Sequence, residues 1–278
     1  MTESPHFLRR ASHGLWACVF CFGAGCGDGA GPPAVSKGPS PTQRADRVEA
    51  NEKEPPAPNG FIFRPTFDTD EGEIRAGTAF PLRLPEHARP VIVTAMHLFG
   101  PGGGMSRDVP PNELPKAVKR LRLDDCFAAS PTIVLDSEPL VIPEAAPIGE
   151  SGQAGDIAAF WGPSDERVYC LEMSDATLVE GQSVWLVASL LEGAPADQRL
   201  HHAKVLGIHS GENVMYQYDN PKLSKQATSG APIVDQAGRL VAVNLGGFED
   251  EGQIIGIGNP VGRFRKFLEA AAQRAARR

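Results

Sequence analysis

Residues 91–97 read Val91-Ile92-Val93-Thr94-Ala95-Met96-His97, an apolar, strand-like run that ends on a histidine. A histidine at the end of a buried strand can be held rigidly with one edge open to solvent. Just upstream stands Gly77-Thr78-Ala79-Phe80, inside another run, Thr78–Leu84. Working outward, the same texture recurs at Thr132–Leu135, Ile157–Phe160, Ser183–Ala188, Ala203–Ile208, Ala231–Val234, Leu240–Asn244 and Gln253–Gly258. Short β-like runs separated by Gly, Pro and Asp predict a mainly antiparallel β domain. Helical spacing is expected only near Glu113–Leu121 and over Val261–Arg278, where Phe264, Phe267, Leu268 and Ala271 form one apolar stripe. No solenoid or propeller period is present.

Composition narrows the classes further. The chain has 278 residues with 41% hydrophobic and 22% charged residues, which excludes a coiled coil, a collagen-like repeat or a wholly disordered chain. Its 30 Gly and 25 Pro speak against a bundle of long helices. The net charge of −7 provides no basic field to gather nucleic acid. No GxxxxGK[ST], no GxGxxG after a strand and no HExxH occurs.

Residues 1–26 read as an export signal: Arg9 and Arg10 precede a short apolar run from Gly14 to Phe22, and small residues follow at Gly23-Ala24-Gly25. With Cys26 they resemble a bacterial lipoprotein signal, whose Cys becomes the acylated first residue; Gly23 departs from the aliphatic residue that pattern prefers. Residues 27–59 are rich in Gly, Pro, Ser and charge and are expected to be a solvated tether, leaving 60–278 as the folded domain. A protein exported in this way is either held at the cell envelope by the lipid or secreted. Of the five cysteines, Cys18, Cys21 and Cys26 belong to the signal, and Cys126 and Cys170 are expected to form a disulfide in an exported domain.

Three residues carry candidate chemistry. His97 closes its strand. Asp156, in Gly155-Asp156-Ile157-Ala158-Ala159-Phe160, heads another strand. Ser229 lies in Gln226-Ala227-Thr228-Ser229-Gly230-Ala231-Pro232, whose small residues suit a tight turn with backbone N–H groups aimed at a reacting carbonyl. Taken singly, each has a commoner structural role: a core histidine, a strand-capping carboxylate, a turn serine.

Taken together, and in the order His97, Asp156, Ser229, they resemble the chymotrypsin/trypsin-like serine peptidases of the bacterial exported type. Gly77-Thr78-Ala79-Phe80 is similar to the family's G-[ST]-[AG]-F/W strand, Val93–His97 to its V-T-A-[AG]-H box, Gly155–Ala158 to its D-[IL]-A box, and Thr228–Pro232 to G-x-S-G-[GAS]-P. Arg239–Asn244 looks like the strand lining the specificity pocket. The likeness covers roughly residues 60–270. It implies a double antiparallel β-barrel with a C-terminal helix, and a serine endopeptidase acting through an acyl-enzyme, without cofactor or metal, on protein or peptide substrates. In that family's scheme Ser229 attacks, His97 moves the proton and Asp156 fixes the imidazole, while the N–H groups of Ala227 and Ser229 bind the oxyanion. The pocket would involve Leu223, Asn244 and Gly246. A monomer is expected.

Two departures stand out. Met96 replaces a small residue before the histidine. Ala227 replaces the Gly that begins the oxyanion turn, and an Ala held in a left-handed conformation there costs about 1–2 kcal/mol. That keeps open a catalytically silent fold used for binding, and beside it a non-enzymatic surface lipoprotein. Other groupings are weaker. His201 and His202 would point to opposite faces of a strand, which counts against a metal cluster with His209. Asp124-Asp125 lacks the Ile-Ala strand that follows Asp156, and Ser210-Gly211 lacks the Ala-Pro and strand that follow Ser229.

Overall fold

A computed structural model describes residues 53–57, 59–164, 168–209 and 213–277. The expected signal, Cys26 and nearly all of the tether lie outside the described residues, as do Ser210, Gly211 and the side chain of His209.

The first half is built from two antiparallel sheets. In one, β1 (Phe63–Thr69) pairs with both β2 (Gly72–Arg75) and β5 (Val118–Asp125), and β5 pairs with β6 (Ile133–Asp136). In the other, β4 (Val91–Thr94) lies between β3 (Phe80–Leu82) and β7 (Ala158–Trp161). Isolated bridges Phe63–Ala79 and Pro139–Phe160 join their edges, so β1, β5, β6, β7, β4 and β3 make a loosely closed ring. The second half is a closed antiparallel barrel of β8 (Ser183–Val187), β9 (Leu200–His209), β10 (Asn213–Tyr218), β11 (Pro232–Val234), β12 (Leu240–Asp250) and β13 (Gln253–Pro260), in the order β10-β13-β12-β11-β8-β9. The chain is therefore a mainly β, trypsin-like double barrel that ends in a helix, α2 (Val261–Ala276).

Side-chain alternation explains the layers. β10 (NVMYQY) buries Val214, Tyr216 and Tyr218 inside its barrel with Val184, Leu186, Val205 and Ile233. β4 is buried along its whole length because one face meets Phe63, Phe67 and Phe160 in the first ring. Its other face, through Val91 and Val93, meets Trp185, Val234, Val243 and the α2 residues Phe264 and Leu268. This third cluster joins the two halves. Burying a large apolar side chain contributes roughly 1.5–3 kcal/mol, so α2, with Phe264 and Leu268 both 0% exposed, is held by its apolar stripe.

Every expected strand has a counterpart, but four strands were not anticipated: β1, β2, β5 and β10. The expected helix over Glu113–Leu121 is only α1 (Leu114–Ala117), after which the chain becomes β5. Leu114, Ala117, Val118 and Leu121 have helical spacing, but pairing with β1 from Val118 onward decides the matter. β1 escaped notice because it carries Pro65. Pro65 pairs only towards Leu123, since β2 reaches no further than Thr66, and its missing N–H costs no ladder bond on that side.

The expected disulfide is a correction: Cys126 and Cys170 are both free. Cys126 follows β5, its N–H bonded to the Ile62 carbonyl (3.0 Å), and packs against the cluster between the halves. Cys170 sits between two residues with their own ladder bonds, Tyr169 N–H to Gly60 (2.9 Å) and Leu171 N–H to Pro81 (3.0 Å), and packs against the first ring. Burial pushes the Cys126 thiol up to about 11.

Candidate active site

His97 follows β4 on a single 3₁₀ turn, Met96–Phe99. Met96, the larger residue in place of a small one, is absorbed by the first ring's core beside Phe63 and Phe99. Asp156 precedes β7 and follows Gly155, whose φ is +67° and where a Cβ would come within 2.6 Å of Asn259 Oδ1. The site's loop is therefore built for glycine. The buried Asn259 holds that loop by donating through Nδ2 to the Ala154 carbonyl (3.0 Å).

The Asp156 carboxylate is 1% exposed and fully engaged. Its Oδ1 accepts the His97 backbone N–H (3.0 Å); its Oδ2 accepts the His97 ring at Nδ1 (2.7 Å) and the Ile148 N–H (2.9 Å). A carboxylate here can only accept, so this contact favours the His97 tautomer with its proton on Nδ1 and a lone pair on Nε2. The imidazole is 17% exposed, so one edge reaches the surface.

The Ser229 turn is pinned from both halves. Thr78 donates its N–H to the Ser229 carbonyl (2.8 Å) and its hydroxyl to the Ala227 carbonyl (2.7 Å). Gly230 has φ +83°, and a Cβ there would lie 2.3 Å from the Thr78 carbonyl and 2.4 Å from Thr94 Oγ1. The turn thus sits directly on the strand end that delivers His97. From the other side, Asn244 Nδ2 donates to the Thr228 carbonyl (2.8 Å), and the Asn244 carbonyl accepts the Gly230 N–H (2.7 Å). In a planar trans peptide the C=O and N–H point in opposite directions. Anchoring the Thr228 carbonyl inward therefore aims the Ser229 N–H outward.

Ala227 adopts φ +59°, the left-handed conformation that its Cβ makes costly. Among the described residues, neither the Ala227 nor the Ser229 N–H has a protein acceptor. The Ser229 hydroxyl donates to the Leu245 carbonyl (3.2 Å), not to His97. His97 and Asp156 are thus bonded to each other, and Ser229 is docked beside them with its hydroxyl turned to β12.

The expected pocket residues fall as follows. Leu223 is buried in the barrel interior with Val184 and Tyr218, Asn244 is the buried anchor just described, and Gly246 (φ +137°) marks an irregularity in β12. Asp124 accepts the Thr132 hydroxyl (2.6 Å), and Asp125 caps the N–H groups of Phe127 (2.8 Å) and Ala128 (3.0 Å), so both are spent on turn structure. His201 is buried while His202 faces outward, on opposite sides of β9. Among the described residues no three His, Cys, Asp or Glu side chains converge to hold a metal.

Sequence reading missed a second polar set on the outer face of the barrel. His202 Nδ1 bonds Asp219 Oδ2 (2.5 Å), His202 Nε2 lies 2.9 Å from Ser183 Oγ, and Lys204 Nζ donates to the same oxygen (2.5 Å). Ser183 stands in register opposite Lys204 inside the ladder, so its backbone offers no turn like that at Ser229. Also missed were the Ile148 N–H, and Asn259 and Arg64, whose roles depend on contacts far along the chain.

The two-barrel topology is that of the chymotrypsin-like serine proteases. No family model matches the chain, and no curated protein matches it. Among solved structures, a thermostable serine protease, AL20, from an extremophilic microorganism is similar at a TM-score of 0.51 and 13% identity, over 77% of this chain and 97% of that one. The HtrA-type protease AlgW, with a tripeptide, is similar at 0.47 and 14%, over 77% of this chain. This chain spans 59% of that protein's length. The active form of the Rv3671c protease from M. tuberculosis is similar at 0.47 and 14%, over 86% of this chain and 93% of that one. At such identities the likeness to AL20 shows the fold.

Proposed function

We propose that the chain is a serine endopeptidase in which His97, Asp156 and Ser229 act as a triad and Ala227 and Ser229 supply the oxyanion N–H groups. The observation that carries this reading is the doubly bonded His97–Asp156 pair beside a serine whose turn holds Ala227 left-handed. That the similar AL20 structure is a serine protease supports the reading at the level of fold.

In this reading the Ser229 hydroxyl leaves the Leu245 carbonyl, gives its proton to His97 Nε2 and attacks a peptide carbonyl. The imidazolium so formed is stabilised by Asp156. The oxyanion lies against the two N–H groups, worth about 10²–10³ in rate per donor. His97 then protonates the leaving amine, and water hydrolyses the acyl-enzyme by the same steps. No cofactor is required. On the sequence alone we also read the protein as exported, with Cys26 the site of lipidation; a palmitate analogue should label the wild type and not Cys26→Ala.

A fluorophosphonate probe tests the catalytic reading without knowledge of the substrate. The wild type should label at one site, Ser229→Ala should abolish the signal while staying folded, and Ser183→Ala should leave it intact. A folded wild type that does not label would instead favour a binding role for the fold, the outcome to which the Ser229–Leu245 bond points.

A further inference from the structure

Arg64 lies on β1, in the first ring, yet its guanidinium is bonded across the junction. Nη1 donates to the Gly77 carbonyl (2.9 Å) and to the Ala227 carbonyl (2.8 Å), and Nη2 donates to the Ser189 carbonyl (3.1 Å). Three main-chain carbonyls from three segments are thus gathered by one planar fork, an arrangement that a single ammonium cannot reproduce. The Thr78 hydroxyl meets the same Ala227 carbonyl. Thr78 is itself fixed, since its carbonyl accepts the Thr94 hydroxyl (2.7 Å).

We propose that Arg64 is a positioning residue for the oxyanion turn, holding Ala227 in the left-handed conformation that its N–H needs. The proposal rests on the serine-hydrolase reading above. The Ser229 N–H is aimed by Asn244 through the Thr228 carbonyl. The Ala227 N–H belongs to the preceding peptide, so once the following peptide is fixed its direction depends on φ and ψ of Ala227. Arg64 and Thr78 fix that following peptide by its carbonyl. A glycine would take φ +59° without strain; an alanine there relaxes to negative φ unless something holds it. Arg64 offsets the cost of the alanine, and its interaction is charge-assisted, the stronger kind of hydrogen bond.

The test is a double-mutant cycle read by fluorophosphonate inactivation of the full chain, separating the limiting rate from the probe's apparent binding constant. Arg64→Ala should lower the limiting rate by about 10- to 100-fold, part of what a lost oxyanion donor costs, with the binding constant within about 3-fold. In the Ala227→Gly background the same change should cost no more than about 3-fold, because glycine holds the turn at no steric cost. Arg64→Lys, which keeps the charge and loses the fork, should fall between, and it carries the test if Arg64→Ala does not fold. An unchanged rate in Arg64→Ala, or an equal loss in both backgrounds, would overturn the proposal. If the wild type itself fails to label, the catalytic reading fails separately. The positioning claim is then decided by hydrogen exchange over residues 225–231: faster exchange in Arg64→Ala at an unchanged melting temperature supports it, and identical exchange rejects it.

Discussion

Asp156 grips His97 at two points, the backbone N–H through Oδ1 (3.0 Å) and the ring through Oδ2 (2.7 Å), so one carboxylate sets both where the histidine starts and which way it faces. The bond from the Ile148 N–H to Oδ2 then holds the carboxylate in place.

Replacing Asp156 by Asn should keep the shape of the site and remove the acceptor that fixes the ring proton on Nδ1. The expected loss is about 10⁴ in turnover or labelling rate, the order seen for this substitution in a Ser–His–Asp triad. Circular dichroism and a melting curve on the same sample check that the fold persists. A loss below tenfold would remove Asp156 from the catalytic unit.

Ala227→Gly and Ala227→Val should diverge. With Arg64 in place the turn already sits at φ +59°, so the glycine variant should label within about 3-fold of wild type. Valine is β-branched and a severe misfit at positive φ, so the turn should open and labelling fall by about 10²–10³. Time courses of probe incorporation measure both.

Asn244→Leu should destabilise the whole barrel as well as the site. Asn244 is 1% exposed, donates to the Thr228 carbonyl and accepts the Tyr216 hydroxyl, so the leucine takes one hydrogen bond from each, leaving them the Ala231 N–H (3.0 Å) and the Ile257 carbonyl (3.4 Å) as partners. At about 0.5–1.5 kcal/mol for each lost bond, the expected cost is about 1–3 kcal/mol by urea denaturation. Adding Tyr216→Phe should cost less in this variant than in wild type, because the hydroxyl has already lost the shorter of its two bonds.

His201 should make the protein acid-sensitive. It is 3% exposed, its Nε2 bonds the Ala188 carbonyl (3.0 Å), and its Nδ1 is buried without a partner. Burial holds its pKa below the ordinary 6.5. The unfolded chain therefore binds the proton more readily, and the stability from the neutral ring is present above about pH 6.5 and lost as pH falls through the folded value. Unfolding free energies measured from pH 8 to pH 5 should fall in wild type, with a shallower acid limb in His201→Gln.

Cys126 and Cys170 should both alkylate after denaturation without reductant, identified by peptide mapping. In the native protein Cys126 should react slowly at pH 8 and faster as pH rises towards about 11, because only the thiolate is nucleophilic. A cross-linked 126–170 peptide would contradict the free thiols described above.

How much of this was legible beforehand depends on where each interaction sits along the chain. β4, β8, β11 and β13 were readable because burial on one or both faces leaves compact apolar runs. Asp156 and His97 were readable as boxes, since their local neighbours are small or apolar by necessity. The left-handed Ala227 was foreseeable as a strain, but not its remedy, because Arg64 stands 163 positions away. β5 was misread in part since its spacing suits a helix until β1 is present to pair with it. The Cys126–Cys170 pairing was inferred from number and compartment, and neither of those carries distance.

The span between Arg64 and Ala227 also bears on the order in which the protein becomes competent. A chain is made from its N-terminus, so residue 64 emerges long before residue 227, and until then the fork has no Ala227 carbonyl to hold. Contacts of such separation close late, after loop entropy has been met by the surrounding barrels. A site assembled this way stays unfinished in the nascent chain and in any fragment cut before β11. Its completion is tied to the folding of both halves.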